Sequence, residues 1–458
     1  MYKINFQNPI HVYFIGIGGI SMSGLAEILL TKNFTISGSD RKESDLTRSL
    51  AQKGAVIYYG QKSGNLTTDI DLVVYTSAIH PDNPEYIAMN ELGLPHLTRA
   101  ELLGQMMKNY RIPIAVSGTH GKTTTTSMIS EILLENGSDP TLSIGGIYQP
   151  IGGNIRVGGS DYFVTEACEY TNSFLSFYPK IALILNIEED HLDFFKDLQD
   201  IRNSFHRFAS LLPADGALII NGDIPHYEEI TNGLVCRVIT CGCSSCDYSF
   251  TGLTYDDKGH STFTVNRKSG ASDTLSLTVP GEHNVYNALA AIALADLLGV
   301  DKDVTKKALL HFSGTDRRFE YKGTLNGFTI IDDYAHHPTE ITATLKAAQN
   351  YPHHTLWCVF QPHTFTRTKA FLNEFAKALS LADKVVLADI YAARETDHLG
   401  ISSQTLLTEL KKLGCECYYF PSFDEIEKFL LKNCIKDDLL ITMGAGDVVK
   451  IGENLLQK

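Results

Sequence analysis

Residues 112 to 123 read IPIAVSGTHGKT, and this stretch decides the fold class of the chain. The apolar run Ile112 to Val116 predicts a strand, and Thr124 to Glu135 has the spacing of a helix. A glycine turn between a strand and a helix presents backbone amides at the positive end of the helix, where phosphate groups bind. In such a turn Lys122 adds positive charge and Thr123 offers a hydroxyl to Mg²⁺. The stretch therefore predicts a nucleoside triphosphate site in an α/β sheet.

The phosphate turn differs from the general pattern G-x-x-x-x-G-K-[ST], because Val116 stands where that pattern has its first glycine. A fortuitous glycine-lysine-threonine turn is the alternative, and the strand before it and the helix after it argue against that alternative. The residues that we predict to contact ATP here are Gly118, Thr119, His120, Gly121, Lys122, Thr123 and Thr124.

The length of 458 residues is more than one hydrophobic core supports, and it predicts about three domains. Strands alternate with helices on both sides of the phosphate turn, which predicts an α/β fold with doubly wound sheets whose ligands lie beyond the carboxyl ends of the strands. We predict an N-terminal Rossmann-like domain at 1–110, a central mixed-sheet domain of the P-loop ATPase type at 111–314 and a C-terminal Rossmann-like domain at 315–458. In the third domain the pattern predicts one helix from Ala370 to Leu381.

Acidic residues follow two predicted strands of the central domain. Glu166 and Glu169 come at the end of the strand Tyr162 to Glu166, and Glu-Glu-Asp-His at 188–191 follows the strand Ile181 to Asn186. Mg²⁺ takes one or two carboxylates and keeps several waters. Strand-end carboxylates are often only solvated, but both strand ends open beside the phosphate turn, so we expect Glu166 and His191 to belong to the site.

Two amides, Asn284 and Asn287, lie three residues apart at the start of a predicted helix, on the same face. Together they could read the edge of a purine base. The alternative for Asn284 is a helix N-cap, which is the commoner role of an asparagine at such a position.

A second glycine turn, Gly16-Ile17-Gly18-Gly19-Ile20-Ser21, ends the first predicted strand, and Asp40 follows about twenty residues later. Alone, this near match to G-x-G-x-x-G would indicate a dinucleotide cofactor. The same turn binds any diphosphate, and the separate ATP turn favours a nucleotide-diphosphate substrate here. A third strand, Leu72 to Tyr75, closes on Ser77 at the same edge.

Histidines and arginines gather at strand ends of the third domain, which suits recognition of carboxylate and phosphate. They lie in the runs 315–320, 332–338, 361–367 and 389–395.

The formal charge of −14 argues against nucleic-acid binding, which depends on lysine and arginine. No run of about 20 apolar residues and no signal peptide is present, so we expect a cytoplasmic protein without membrane association. Nine cysteines without framework spacing indicate reduced thiols. Zinc at Cys236, Cys241, Cys243 and Cys246 is the alternative to a packing role, and the missing second matched pair argues against it.

The ordered set of these motifs resembles the Mur ligases, from the first glycine turn to Gly444-Ala445-Gly446-Asp447 near the C-terminus. The resemblance implies an ATP-dependent enzyme of peptidoglycan synthesis that joins L-alanine to the carboxylate of UDP-N-acetylmuramate, with ATP and two Mg²⁺ ions, as a monomer or homodimer. It implies catalytic roles for Lys122, Glu166 and His191.

The resemblance also implies the ligands of each group. It assigns the UDP-sugar to Gly16, Gly18, Gly19, Ser21, Asp40 and Ser77. It assigns the metal to Thr123, Glu166 and His191, and the rest of the nucleotide to Asn284, Asn287, Arg318 and Asp333. It assigns the muramyl carboxylate and the amino acid to Tyr334, His336, Arg367 and Arg394.

Two features depart from the family pattern. Sister ligases carry a modified lysine about fifteen residues after the motif histidine, whereas this chain has Phe205-His206-Arg207, so we expect no carbamylated lysine. Many members have arginine after the Gln-Pro-His turn, where this chain has Thr364.

Three rival functions stay open at this point. They are a recycling ligase that attaches a tripeptide to the same sugar nucleotide, a nicotinamide-dependent oxidoreductase, and a nucleotide switch.

Overall fold

Three β-sheets follow one another along the chain in the computed structural model, which describes residues 2–76, 78–393 and 395–457. Ser77 and Arg394, two of the predicted site residues, lie outside the described residues. Among the described residues no helix has both the length and the apolar content needed to cross a membrane.

The N-terminal sheet is fully parallel, with strand order β3-β2-β1-β4-β5. Its strands are β1 (His11–Ile15), β2 (Thr35–Asp40), β3 (Val56–Tyr59), β4 (Leu72–Tyr75) and β5 (His96–Thr98), and its helices are α1 (Ile20–Thr31), α2 (Asp45–Gln52), α3 (Pro84–Glu91) and α4 (Arg99–Met107). The glycine turn between β1 and α1 therefore opens at the carboxyl edge of the sheet, as the sequence predicts.

The central sheet has ten strands, parallel in its middle and antiparallel at both ends. Its strands are β6 (Ile112–Ser117), β7 (Thr141–Tyr148), β8 (Gly153–Arg156), β9 (Tyr162–Glu166), β10 (Ile181–Ile184), β11 (Ala217–Asn221), β12 (Arg237–Gly242), β13 (Tyr248–Tyr255), β14 (His260–Arg267) and β15 (Ser272–Pro280). Its helices are α5 (Lys122–Glu135), α6 (Leu198–Ala209), α7 (Glu228–Thr231), α8 (Glu282–Leu297) and α9 (Lys302–His311). The strand order is β15-β14-β13-β12-β11-β10-β6-β9-β7-β8. Strand β6 lies between β10 and β9, so the phosphate turn is flanked by the ends of the two strands that lead into the acidic residues.

The C-terminal sheet has the order β16-β17-β21-β18-β19-β20. Its strands are β16 (Glu320–Leu325), β17 (Phe328–Asp333), β18 (Leu356–Phe360), β19 (Lys384–Leu387), β20 (Glu416–Tyr419) and β21 (Leu439–Met443). Its helices are α10 (Pro338–Gln349), α11 (Phe365–Ala370), α12 (Leu372–Leu379), α13 (Ser403–Lys412), α14 (Phe423–Asn433) and α15 (Val449–Leu456). All strand pairs are parallel except β16 with β17, an antiparallel edge hairpin.

The helix predicted at Ala370 to Leu381 is present as α12, but the separate short helix α11, which meets it at Phe371, was not predicted. Helix α12 buries Phe375 and Leu379 and so shows the apolar period of a helix, whereas α11 buries only Thr368 and shows none. The predicted α/β fold class is confirmed by the three sheets. The domain bounds at 110 and 314 stay predictions.

The N-terminal and central sheets share one continuous hydrophobic core. Helix α4 packs so closely on the central part that a methyl group on Gly104 would lie 1.9 Å from the carbonyl oxygen of Ser176. Only glycine fits such an approach. This packing fixes the first glycine turn relative to the phosphate turn.

Candidate active site

The phosphate turn between β6 and α5 is held open by two glycines and one asparagine. Gly118 and Gly121 have φ angles of +140° and +81°, a region that favours glycine. Asn186 follows β10; its Oδ1 accepts a hydrogen bond from the backbone of His120 at 2.7 Å, and its Nδ2 donates to the carbonyl of His120 at 3.1 Å. Asn186 thus fixes the turn in shape, a role that the sequence analysis missed.

Lys122 lies under the turn with its ammonium group buried. The Nζ atom donates to the carbonyls of Gly118 at 2.5 Å and Thr119 at 3.1 Å, and it lies 3.0 Å from Oε2 of Glu169. Burial lowers the pKa of Lys122, but the negative charge of Glu169 outweighs burial and raises that pKa above its ordinary value. Lys122 is therefore a charged ammonium group at the place where a phosphate group would lie.

Oxygen atoms suited to Mg²⁺ meet at the start of α5. The hydroxyl of Thr123 donates to Oε2 of Glu166 at 3.1 Å, and Oε1 of Glu166 accepts from the backbone of Gly145 at 2.5 Å. Burial raises the pKa of Glu166. A hydroxyl beside a buried carboxylate is a hard-oxygen donor set, so these residues fit Mg²⁺.

His191 has a left-handed backbone, with φ +53°, and its ring stacks on Tyr170 with 4.4 Å between centroids. Its Nε2 atom lies 3.9 Å from Glu169 and 3.8 Å from Asp190. Burial lowers the pKa of His191, which keeps the neutral imidazole that a metal requires.

Arg367 of α11 reaches the same loop from the C-terminal part. Its guanidinium contacts Oδ1 of Asp190 at 2.8 Å. Burial raises the pKa of Asp190, but the charge of Arg367 outweighs it, and the net pKa lies below the ordinary range. Arg367 thus connects helix α11 to the loop that carries Asp190 and His191.

A cavity of about 780 Å³ adjoins the phosphate turn between the central and C-terminal parts. The predicted site residues that line it are His120, Gly121, Thr124, Asn284, Asn287, Arg318 and Asp333. Nδ2 of Asn287 donates to Oδ1 of Asn284 at 3.1 Å, and Nδ2 of Asn284 donates to the carbonyl of Pro280 at 2.7 Å. The alternative of an Asn284 N-cap is wrong, because Gly281 caps α8.

Asp333 and Arg318 come together at the far wall of this cavity. Burial raises the pKa of Asp333 to about 6. Its carboxylate accepts hydrogen bonds from the backbones of Phe319 at 2.8 Å and Ala335 at 2.7 Å. The guanidinium of Arg318 lies over the ring of Tyr334, 5.1 Å from its centroid.

A second cavity, of about 600 Å³, lies on the other side of the phosphate turn. Its lining includes Thr119, His120, Gly121, Lys122, Thr123, Glu166, His191, Arg318, Tyr334 and His336. Burial lowers the pKa of His336 to about 4, so its imidazole is neutral. Ile20, beside the first glycine turn, also reaches this cavity.

Asp40 lies beside the first glycine turn. The backbone of Gly18 donates to Oδ2 of Asp40 at 2.9 Å, and Gly16 has φ +82°. Ser21 accepts a hydrogen bond at 3.1 Å from Arg99, a half-buried arginine at the start of α4 that the sequence analysis missed. Burial lowers the pKa of Arg99.

Three family models match the chain in sequence order. The model described as "Mur ligase family, catalytic domain" matches residues 11–111, and the "Mur ligase middle domain" matches residues 116–295. The model described as "Mur ligase, glutamate ligase domain" matches residues 317–446. The chain belongs to the Mur ligase family. It is therefore an ATP-dependent ligase.

Similar proteins cover this Mur ligase from end to end. A UDP-N-acetylmuramate–L-alanine ligase of Agathobacter rectalis is 63% identical over 459 residues, which cover 100% of both chains. The crystal structure of UDP-N-acetylmuramate-alanine ligase from Thermotoga maritima is 29% identical, with a TM-score of 0.82 and 98% of each chain covered. A murein peptide ligase from Psychrobacter arcticus is 26% identical, with a TM-score of 0.71 and 98% of each chain covered.

Metal-binding types of side chain also meet at two further places in this Mur ligase, and one of these places is beside the phosphate turn. Cys243 and Cys246 meet at Gly222, where an added methyl group would lie 3.7 Å and 2.4 Å from their sulfurs. His120, Glu188 and His337 have ligand atoms that all lie within 4.8 Å of one another. Within 2–76, 78–393 and 395–457, they are the one group of three or more histidine, cysteine or acidic side chains that does so. The cysteines thus form no such group.

The structure brings most predicted residues of the Mur ligase to the two cavities. Gly118 and Arg367 line neither cavity but contact residues that do. Gly16, Gly18, Gly19, Ser21 and Asp40 line neither cavity and lie at the edge of the N-terminal sheet.

In the position of the lysine found in sister ligases, His206 of α6 contacts the carbonyl of Ile230 at 3.1 Å. Thr364 caps α11 with φ +67°.

Proposed function

We propose that this Mur ligase joins L-alanine to the carboxylate of UDP-N-acetylmuramate, with cleavage of ATP to ADP and phosphate, in peptidoglycan precursor synthesis. The observation that carries the proposal is the phosphate turn at Gly118 to Thr123, which lies between a nucleotide-sized cavity and a second cavity closed by the C-terminal part. The relative that is 63% identical over the whole chain has this activity in its name.

The larger cavity is our proposed ATP site. Asn284 and Asn287 lie beside the phosphate turn and would face the nucleotide, while Arg318 and Asp333 close the cavity from the opposite wall. The amides of Gly118 to Thr124 and the ammonium of Lys122 would then surround the β- and γ-phosphates.

Thr123, Glu166 and His191 are our proposed metal ligands. Bound Mg²⁺ would neutralise negative charge on the γ-phosphate. Thr123 and Glu166 supply oxygen donors, and His191 lies on the neighbouring loop with a neutral imidazole, so a second ion beside His191 is part of the proposal.

The first chemical step is transfer of the γ-phosphoryl group. A carboxylate oxygen of UDP-N-acetylmuramate attacks the γ-phosphorus in line, the bond to the ADP oxygen breaks, and an acyl phosphate forms. Lys122 stabilises charge on the transferred group from below the turn. Tyr334, His336 and Arg367 would orient the carboxylate, because they lie across the smaller cavity or reach its loop.

The second step is formation of the amide. The amine of L-alanine attacks the acyl carbon, phosphate leaves with one oxygen of the former carboxylate, and the amine loses a proton. An acyl phosphate hydrolyses in water, so the C-terminal part must exclude water by lying over the phosphate turn. Arg394 is a proposed contact of this step that lies outside the described residues.

The N-terminal glycine turn is our proposed site for the UDP part of the substrate. Gly16, Gly18 and Gly19 form the turn at the carboxyl edge of the sheet, and Asp40 and Ser21 place oxygen acceptors beside it. Ser77 is proposed there as well. All three substrates are small polar molecules. We propose that the reaction takes place in the cytoplasm and that the enzyme is a monomer or a homodimer. Its proposed domains are 1–110, 111–314 and 315–458.

A side-by-side assay with the two amine substrates distinguishes an alanine ligase from a tripeptide ligase. Purified protein is given ATP, Mg²⁺ and UDP-N-acetylmuramate with either L-alanine or L-alanyl-γ-D-glutamyl-meso-diaminopimelate, and phosphate release and the nucleotide product are measured. We expect product with alanine. Product with the tripeptide alone would reverse the assignment, and slow phosphate release that needs neither amine nor sugar nucleotide would indicate a nucleotide switch.

A further inference from the structure

Glu340, in the first turn of α10, offers one carboxylate to two different parts of the molecule. Its Oε1 atom lies 3.1 Å from Nδ1 of His120 in the phosphate turn. Its Oε2 atom accepts the backbone N–H of His336 at 3.1 Å and lies 3.3 Å from Nδ1 of the same histidine. The carboxylate therefore joins the proposed ATP site to the proposed carboxylate-orienting loop.

Glu340 lies at the boundary between the two cavities. Its side chain is only 14% exposed, and it lines both the 780 Å³ and the 600 Å³ cavity. A phosphoryl group that passes from ATP to an acceptor must cross the boundary between these cavities.

The contact with His120 is an ion pair at neutral pH. Burial lowers the pKa of His120, but the charges of Glu340 and Glu188 outweigh burial and raise that pKa to about 9. Burial likewise raises the pKa of Glu340, and the neighbouring histidines, His336 and His120, bring it well below the ordinary range. A buried ion pair fixes geometry strictly, since either charge alone would be costly there.

We propose that Glu340 is a positioning residue that aligns the phosphate turn with the substrate loop at 334–336, and so sets the in-line geometry of phosphoryl transfer. This role rests on the proposed function. A misplacement of about 1 Å between reacting groups can lower a rate by roughly a hundredfold. Loss of Glu340 should therefore lower kcat more than it weakens binding of any substrate.

Other contacts between the same two parts provide a matched control. Thr339, beside Glu340, donates its hydroxyl to Glu188 at 2.5 Å, and His337 donates to the carbonyl of Glu189 at 3.1 Å. These contacts also hold α10 against the central part, but they do not reach the substrate loop. Thr339→Val removes one of them and keeps the volume of the side chain.

The test is full steady-state kinetics of the wild type, Glu340→Gln and Thr339→Val, with L-alanine, ATP and UDP-N-acetylmuramate varied in turn. We expect Glu340→Gln to lower kcat by roughly tenfold or more, with the KM of UDP-N-acetylmuramate changed by less than about threefold. Thr339→Val should keep kcat within about threefold of the wild type, and any larger change should fall on the KM of ATP, because Thr339 lines the proposed ATP cavity. A kcat for Glu340→Gln that equals that of Thr339→Val would overturn the positioning role.

A second variant covers the case in which Glu340→Gln does not fold. Glu340→Asp keeps the charge but is one methylene shorter, so it can contact only one of the two histidines. We expect a folded protein with kcat lowered by roughly fivefold or more, and an unimpaired kcat would overturn the proposal. A wild type that makes no alanyl product would defeat the proposed function and this role together, whereas an active wild type with unimpaired variants would defeat only the role of Glu340.

Discussion

The ammonium group of Lys122 and the carboxylate of Glu169 lie 3.0 Å apart and are both largely buried beside the phosphate turn. Glu169 therefore compensates the charge of Lys122 while no phosphate is bound. A γ-phosphate that enters the turn would compete with Glu169 for the same cation.

Replacement of Glu169 by Gln should destabilise the nucleotide-free protein and spare the nucleotide-bound one. Loss of one partner of a buried ion pair costs about 3 kcal/mol, so the Tm should fall by roughly 4 °C or more, and Mg²⁺-ATP should restore most of it. Thermal shift assays with and without Mg²⁺-ATP measure the fall in Tm and its recovery. Glu135→Gln breaks the exposed pair with Lys307 and is the control. Equal Tm values for the two variants would contradict the prediction.

Gly121→Ala should weaken the binding of ATP. The added methyl group would lie 2.6 Å from Oδ1 of Asn287, and the φ of +81° strains any residue other than glycine. Gly137→Ala, at the other end of α5, has a φ of +68° and nothing within 4 Å of the added carbon, so it isolates the strain. We expect Kd for an ATP analogue to rise by roughly tenfold or more in Gly121→Ala only. A parallel loss in Gly137→Ala would mean that backbone strain alone explains the effect.

Arg367→Lys should weaken the binding of the sugar nucleotide and leave the binding of ATP unchanged. The planar guanidinium makes paired contacts that a lysine ammonium cannot reproduce, and Asp190 keeps a positive neighbour in this variant. We expect the KM of UDP-N-acetylmuramate to rise by roughly tenfold. Lys369→Arg, the reverse exchange at an exposed position two residues on, should leave all constants unchanged. A rise in the KM of ATP instead would place Arg367 at the nucleotide.

His120 should make the stability of the protein depend on pH in one direction. The pKa of His120 in the folded protein, about 9, exceeds the ordinary value of about 6.5. Its contribution to the free energy of unfolding is therefore complete below pH 6.5 and is lost as the pH rises through 9. The groups that face His120 are Glu340, Glu188 and the ring of His337, whose centroid lies 4.7 Å away.

In Glu340→Gln the main cause of the raised pKa is removed. NMR titration of the histidine imidazoles should place the pKa of His120 near 9 in the wild type and lower in this variant. The free energy of unfolding should also fall less between pH 6.5 and 9 in the variant. An unchanged titration would show that Glu188 alone holds the proton on His120.

Much of the fold could be predicted from local sequence because strands and phosphate turns carry local patterns. The strand at Ile112, the turn at Gly118 and the helix after it follow one another without a gap. The expectation that Glu166 lies beside Thr123 came from the shared carboxyl edge of neighbouring parallel strands, and the two are in contact. The edge strand Glu320 to Leu325 was missed, because it is half exposed on both faces and shows no alternation.

The contacts that connect the parts of the molecule could not be predicted. Asn186 fixes His120 from the end of a neighbouring strand, and Glu340 reaches His120 from a helix of the C-terminal part, so no spacing in the chain connects either pair. Arg99 was missed because a single arginine at a helix start is most often an exposed residue. The pairing of Arg367 with Asp190 depends on how two sheets face each other, which the sequence pattern does not encode.

The central claim is that the substrate carboxylate captures the γ-phosphate at the turn around Lys122. It is tested most directly with UDP-N-acetylmuramate that carries ¹⁸O in both carboxylate oxygens, by mass spectrometry of the phosphate released in a complete reaction. The mechanism predicts one ¹⁸O atom in each phosphate, and no release by Lys122→Ala. Phosphate free of ¹⁸O from an active wild type would contradict it.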